Sequence, residues 1–292
     1  MGNKLPPSNH LEIGKEQIEV DLRKIGIAEG DHVAVALSFK SIGHVRGGPD
    51  AFINALLNVV GPKGTIMMNT HTRSFPISEI DPNFTFDFRS TPPLTGLVPT
   101  TLMNRRDSIR SRHPICSIAA IGKLSEYLTK DHDEYSSPYR PFEKLALVGG
   151  KYLSIGIDGQ LVVVRHESQR RAGLFIVPML RGVRYKTLKG DIRLFFWTSP
   201  PCARNLSKLN PKLKAMGALR QGKIGMATAV VGSVSQLLDF MSSTLGKKPA
   251  LNLCDDVFCV SCRELERRMI LYETIENPKF FQRSLSHDLS GT

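Results

Sequence analysis

Three cysteines, Cys254, Cys259 and Cys262, stand in a C-x4-C-x2-C spacing, and Cys202 follows Pro200-Pro201 earlier in the chain. Four thiolates make a complete tetrahedral donor set for a structural zinc, and the C-x2-C portion has ordinary ligand spacing. The whole pattern is not that of a zinc ribbon, so buried free thiols packing as small hydrophobes are the other reading. A second stretch, SFKSIGHVRGG from Ser38 to Gly48, combines small residues with Lys40 and Arg46. Small residues let a ligand approach the backbone closely. Pro49 marks the start of a helix whose N-terminus favours phosphate. This is chemistry for an anionic cofactor, although a Ser/Gly loop after a strand is also common without a ligand.

The elements that must position these residues are readable on either side. His32 to Leu37 and Thr65 to Asn69 are short apolar runs with β-branched members, the pattern of strands covered on both faces. Between them Phe52, Leu56, Leu57 and Val60 recur at helical spacing, and Gly61-Pro62-Lys63-Gly64 stops that helix. The loop from Ser38 therefore leaves the carboxyl end of a strand, where open α/β sheets bind ligands. Gly14 to Gly26 reads as an amphipathic helix, with Ile18, Leu22 and Ile25 on one face. Arg73 to Pro93 is a long stretch without periodicity, a length that usually carries function. Strands are expected near Ile115 to Ile121, Tyr152 to Ile155, Ile192 to Trp197 and Met226 to Val231, and helices over Asn205 to Met216 and Val234 to Leu245. The tail CRELERRMILYETI is a last helix. Such alternation points to an α/β fold with a mixed, largely parallel central sheet flanked by helices and an elaborated second half. The expected boundaries are a mobile arm over residues 1–13, one domain over 14–250, and a cysteine-containing extension with a helix over 251–292.

Composition narrows the setting. Of 292 residues, 41% are hydrophobic and 23% charged, as in a globular chain long enough for a substantial core. No apolar run approaches the ~20 residues of a membrane span. The opening MGNKLPPSNH lacks the apolar core of a signal peptide, and Pro6 breaks a myristoylation pattern. Five cysteines, an odd number, point to reduced thiols or metal rather than disulfides. A cytoplasmic protein is expected. The net charge of +12 is concentrated between Arg165 and Lys223, where fourteen Lys or Arg face only Glu167 and Asp191. Such a field attracts anions. Nucleic acid is not the expected partner, because basic and aromatic residues are not interleaved there in any binding pattern.

The SFKSIGHVRGG loop between VAVAL and GPKGTIMMNTHT resembles the aminoglycoside 3-N-acetyltransferase (antibiotic acetyltransferase) family. The resemblance continues through TGLVPTTLMNRR, IRSRHPICSIAAIG and SSPYRPFEKLALVGGKYLSIG to Glu167, covering Gly14 to Leu245. It implies an N-acyltransferase using acetyl-CoA or another acyl-CoA. Ser38, Lys40, Ser41 and Gly43 then lie around the cofactor. Arg110 and Ser111 of the Arg-Ser-x-His-Pro stretch lie near phosphate, and His113 orients substrate or packs beneath its loop. The family's histidines fall, read without gaps, on Ala36, Cys116 and Val164. The last of these is the family's general base, paired with a carboxylate. Here the nearest imidazole, His166, comes two residues late, a rotation of roughly 200° on a helix. Glu167 keeps the carboxylate position. Glu167, His166 and His113 are therefore the candidates for proton transfer, with Glu167 preferred.

Aminoglycosides are polycations whose sites need carboxylates, and this chain is basic. The expected acceptor is an anionic amino sugar, such as a nucleotide-linked one used in polysaccharide synthesis. The alternatives are an aminoglycoside 3-N-acetyltransferase, or a non-catalytic relative that keeps the fold as a binding or assembly module. Homo-oligomerisation is left open.

Overall fold

A computed structural model describes residues 12–157, 161–175 and 180–276. Residues 1–11 of the expected arm and 277–292 of the expected extension lie outside the described residues. The arm as drawn is one element too long: Glu12–Ile13 is a strand, β1, which pairs in parallel with β3 (His44–Val45). Helix α1 (Lys15–Ile25) follows, buries Ile18, Leu22 and Ile25, and closes on Gly26 in the left-handed region.

The central sheet is built from buried runs. Strands β2 (His32–Leu37) and β4 (Thr65–Asn69) flank β3 and α2 (Gly48–Val60), as expected from the apolar pattern. Short strands β5 (Phe75–Pro76) and β6 (Thr85–Phe86) lie in the long stretch after β4. Next come α3 (Leu97–Met103), β7 (Ile109–Arg110), β8 (Ile118–Gly122), α4 (Ser125–Thr129), α5 (Arg140–Leu147) and β9 (Lys151–Ile155). The second half holds α6 (Val162–Arg171), the hairpin β10 (Leu180–Lys186) and β11 (Ile192–Thr198), α7 (Asn210–Ala215), β12 (Arg220–Ile224), β13 (Ala227–Ser233), α8 (Val234–Lys247) and α9 (Val260–Glu276).

Seven strands form one sheet in the order β12-β13-β9-β2-β4-β8-β7. Its parallel part is the centre, β9-β2-β4, and the strands added on either side run antiparallel. A four-stranded sheet around β10 forms the elaboration, where β10 pairs with β11, β5 and β6. The mixed sheet flanked by helices is the architecture expected from sequence, but only the β9-β2 and β2-β4 pairings are parallel, so the sheet is not largely parallel as expected.

Strand periodicity sorts the core into two layers, because successive side chains point to opposite faces. Val33, Val35, Ile66, Met68, Ala119, Ile121, Leu153 and Ile155 pack on one face with α1, α2 and α3. Ala34, Met67, Ile118, Ala120 and Tyr152 pack on the other with Phe142, Val164, Leu237 and Leu265. Leu265 belongs to α9, so the cysteine-bearing segment is laid against the main core rather than set apart from it.

Candidate active site

The three parallel strands β2, β4 and β9 end at the same edge, and their following loops converge there. After β2, Ser38 donates its backbone N–H to Ile155 O, and Ser41 Oγ donates to Ser38 O at 2.6 Å. Gly156, at φ 64°, comes so close that a Cβ there would fall 1.6 Å from Ser41 Oγ. The two loops can meet only because residue 156 is glycine. Gly43 has φ 104° and seats against Met226 and Ile13, while Lys40 is exposed. The expected cofactor loop is thus held at the sheet edge by its neighbours.

A cavity of about 220 Å³ opens at this edge, lined by Ala36, Asn69, His71, Tyr152 and Val162 among others. Val162 also lines a larger cavity of about 760 Å³, walled by Arg165, His166, Cys202, Arg204 and Asp256. Positions 162, 165 and 166 are one, three and four steps apart on α6 and share a face. This explains the fate of the family's base position. Val164 is fully buried in the core, whereas His166, 200° around, faces the cavity.

His166 Nδ1 lies 2.8 Å from Gln169 Oε1. An amide oxygen only accepts, so Nδ1 carries the proton and Nε2 keeps its lone pair. The amide cannot be reversed, because Gln169 Nε2 donates to the Cys202 carbonyl at 2.8 Å and to Asn252 Oδ1. Burial pushes the His166 pKa down to about 4, against the hydrogen bond to Gln169 that raises it, so the ring is neutral. Burial and the proximity of His166 likewise bring His71 down to about 4. Arg165 is buried, and its Nε and one Nη lack a hydrogen-bond partner among the described residues. Burial lowers its pKa to about 10, so it remains a cation at the cavity wall.

Glu167, the residue preferred from sequence, does not reach this cavity. It is completely buried on another face of α6, where it accepts from Arg170 Nε at 2.7 Å, Arg170 Nη2 at 2.9 Å and Arg171 Nε at 2.9 Å. Arg170 in turn bridges to Glu143 on α5. This carboxylate ties helices together. Glu167→Gln should cost about 2 kcal/mol, less than a fully buried pair because both arginines can rehydrate. Thermal melts should fall by roughly 5 °C while kcat/KM of the folded protein holds. A hundredfold drop in rate at unchanged Tm would return Glu167 to proton transfer.

Other expected residues also have structural partners. Arg110 sits on β7, three strand spacings or about 14 Å from β2. Its guanidinium donates to the carbonyls of Thr70, Phe88 and Thr91 and to the hydroxyls of Thr70 and Ser117. Four of its five N–H donors are taken up in binding β4 to the long stretch after it, so its main role is structural. Ser111 is buried and accepts from Ile118 N–H while bonding His132 Nδ1. His113 packs beneath its loop: Nδ1 accepts the N–H groups of Ile115 and Cys116, and burial drives its pKa down to about 3. Among the described residues no hydrogen bond or ion pair joins the loop after β2 to the Arg-Ser-Arg-His-Pro stretch. Cys116 is buried beside Phe86 and Val183.

His71, Arg165 and Gln169 are the functional candidates that sequence reasoning missed. His166 and Gln169, three apart on a helix, carried a legible signal, since such pairs are neighbours. His71 and Arg165 carried none, because only the tertiary fold places them.

Comparison with known proteins agrees with this fold. A family model described as aminoglycoside 3-N-acetyltransferase matches residues 35–246. Aminoglycoside N(3)-acetyltransferase VII of Streptomyces paromomycinus is 28% identical over 273 residues, covering 81% of this chain and 94% of that one. Aminoglycoside N(3)-acetyltransferase III of Salmonella sp. is 32% identical over 180 residues, 56% of this chain and 62% of that one. In the fold, the chain is similar to AAC-IIIb in its binary complex with CoASH, with a TM-score of 0.70 and 24% identity, covering 81% of this chain and 97% of that one. It is also similar to apo AAC(3)-IVa, with a TM-score of 0.74 and 22% identity, covering 89% and 99%.

Proposed function

Because the chain belongs to the aminoglycoside 3-N-acetyltransferase family, we propose that it transfers an acetyl group from acetyl-CoA to the amine of an amino-sugar compound, with His166 as the proton acceptor. The observation that carries this reading is the neutral His166 lining the cavity, its Nδ1–H locked onto Gln169 so that Nε2 keeps its lone pair. That arrangement speaks against a non-catalytic relative despite Ala36, Cys116 and Val164.

The low basicity of His166 constrains the step. An imidazole near pKa 4 does not deprotonate an ammonium of pKa about 8 in the ground state. The acceptor therefore reacts as its free amine. Its nitrogen attacks the thioester carbonyl, becomes far more acidic as the C–N bond forms, and loses its proton to His166 Nε2. The C–S bond then breaks, and the departing sulfur takes that proton, leaving amide and free thiol. Arg165, a buried cation beside the cavity, contributes positive potential that favours an anionic group of the donor or acceptor. The loop with Ser38, Lys40, Ser41 and Gly43 contributes backbone and charge to the donor.

Two acceptors follow from different observations. The relatives carry the name aminoglycoside N(3)-acetyltransferase, which supports an aminoglycoside. The cavity favours an anionic amino sugar as a second reading. Its wall carries Arg165 and Arg204 against Asp256, and Asp256 is already paired with Arg204 at 2.6 Å. Incubation with acetyl-CoA and either aminoglycosides or nucleotide-linked amino sugars, with thiol release as readout, decides between them. Turnover only with the nucleotide-linked compounds selects the second reading, and no turnover with any amine rejects the acetyltransferase assignment.

A further inference from the structure

Four sulfur atoms converge where no catalytic role requires them. The Sγ atoms of Cys202, Cys254, Cys259 and Cys262 all lie within 4.8 Å of one another. Tetrahedral zinc with Zn–S bonds of about 2.3 Å requires sulfur atoms about 3.8 Å apart, so small side-chain rotations complete the site. The donor set is uniform and contains no carboxylate or imidazole.

The surroundings offer the polar support that ligand sulfurs receive. Cys254 N–H donates to Cys262 Sγ at 3.2 Å, the kind of backbone support that ligand sulfurs receive. Cys262 lies in the first turn of α9, where the helix end stabilises negative charge. Arg263 donates to the Cys254 carbonyl, and Arg204 stands at the exposed rim beside the cluster. Packing alone does not explain the arrangement. The buried members of this small cluster are Cys254, Cys259 and Cys262, with only Cys202 and Leu253 half-buried against them. A core of three thiols buries little apolar area, yet it must hold the approach to α9 in place.

We propose that Cys202, Cys254, Cys259 and Cys262 bind one structural zinc ion that pins the segment before α9 to the segment after β11. Binding exchanges up to four thiol protons for the metal and needs no oxidant. The carbonyl of Cys202 is the group that receives Gln169 Nε2. The metal thereby also fixes the amide that orients His166, a consequence resting on the catalytic reading above, whereas metal binding itself does not.

Protein purified without chelator should carry close to one zinc per chain by elemental analysis. Stripping should lower Tm on the order of 10 °C, with recovery on adding zinc but not magnesium. Under native conditions the four thiols should be unreactive toward a thiol reagent until metal is removed. Cys259→Ser should lose the metal, and Cys116→Ser should keep it. Should Cys259→Ser fail to fold, cobalt(II) exchanged into the unmodified chain decides: a tetrahedral tetrathiolate spectrum supports the site. Metal-free protein whose Tm ignores added zinc, thiols reactive from the start, or cobalt giving no thiolate charge-transfer band would each overturn the proposal. Loss of zinc binding with transfer activity intact would separate this site from the catalytic reading.

Discussion

His166→Ala is expected to lower kcat by about 10²–10⁴-fold, the usual contribution of a placed general base. The substitution removes the imidazole from the cavity wall and leaves the α6 backbone, the loop after β2 and the Arg165 cation in place. Coenzyme A affinity, measured by calorimetry, should therefore change little. The rate should rise with pH through the acceptor amine's own pKa, because His166 is already neutral above about 4. His71→Ala provides the contrast. His71 lines the smaller cavity and feels His166 through space, without contacting it, so its loss should cost less. Full activity in His166→Ala with collapse in His71→Ala would transfer the role to His71. Full activity in both would remove imidazole from the mechanism.

Acid should unfold this protein early. His71, His113, His132 and His166 are all held neutral by burial, with pKa values pushed to about 4 for His71 and His166, to about 3 for His113, and well below the usual range for His132. His113 and His132 stack at 4.9 Å, and His113 also meets the Phe195 ring edge-on at 5.2 Å. In the unfolded chain each ring titrates near 6.5. Between about pH 6.5 and 4 the unfolded state thus binds more protons than the folded one, and stability falls as pH falls. Each histidine contributes a slope of up to about 1.4 kcal/mol per pH unit. Four acting together should remove several kcal/mol by pH 5, a large share of the roughly 5–15 kcal/mol that holds a domain folded. Thermal melts from pH 7.5 to pH 5 should show Tm dropping by more than ~10 °C. A Tm independent of pH across that window would mean that these rings are hydrated and free to ionise.

Much of the architecture was legible in the chain itself. The buried runs at β2 and β4, the Pro49 helix start and the stop at Gly61 follow from local rules, since burial on both faces demands continuous apolar strands. The C-x2-C spacing and Cys202 were legible as a donor set, and their convergence is the structural counterpart. The loop from Ser38 was legible as an exit from a strand's carboxyl end, because that depends only on chain order.

Which proton-transfer candidate faces the cavity was not legible. Sequence places Glu167 and His166 side by side, and matching to the family favours the carboxylate. Which of two neighbours faces the cavity depends on the rotation of α6 about its axis, and that is set by packing. Val163, Val164 and Ser168 turn inward, so His166 turns to the cavity and Glu167 to Arg170 and Arg171. The same applies to Arg110, read as a phosphate ligand from its motif but consumed by carbonyls that lie 19 to 40 residues away in sequence. Local pattern determines what a residue type can do and which element carries it. Which partner it meets is decided by contacts distant in sequence, where burial forces each polar group onto whatever the fold brings within reach.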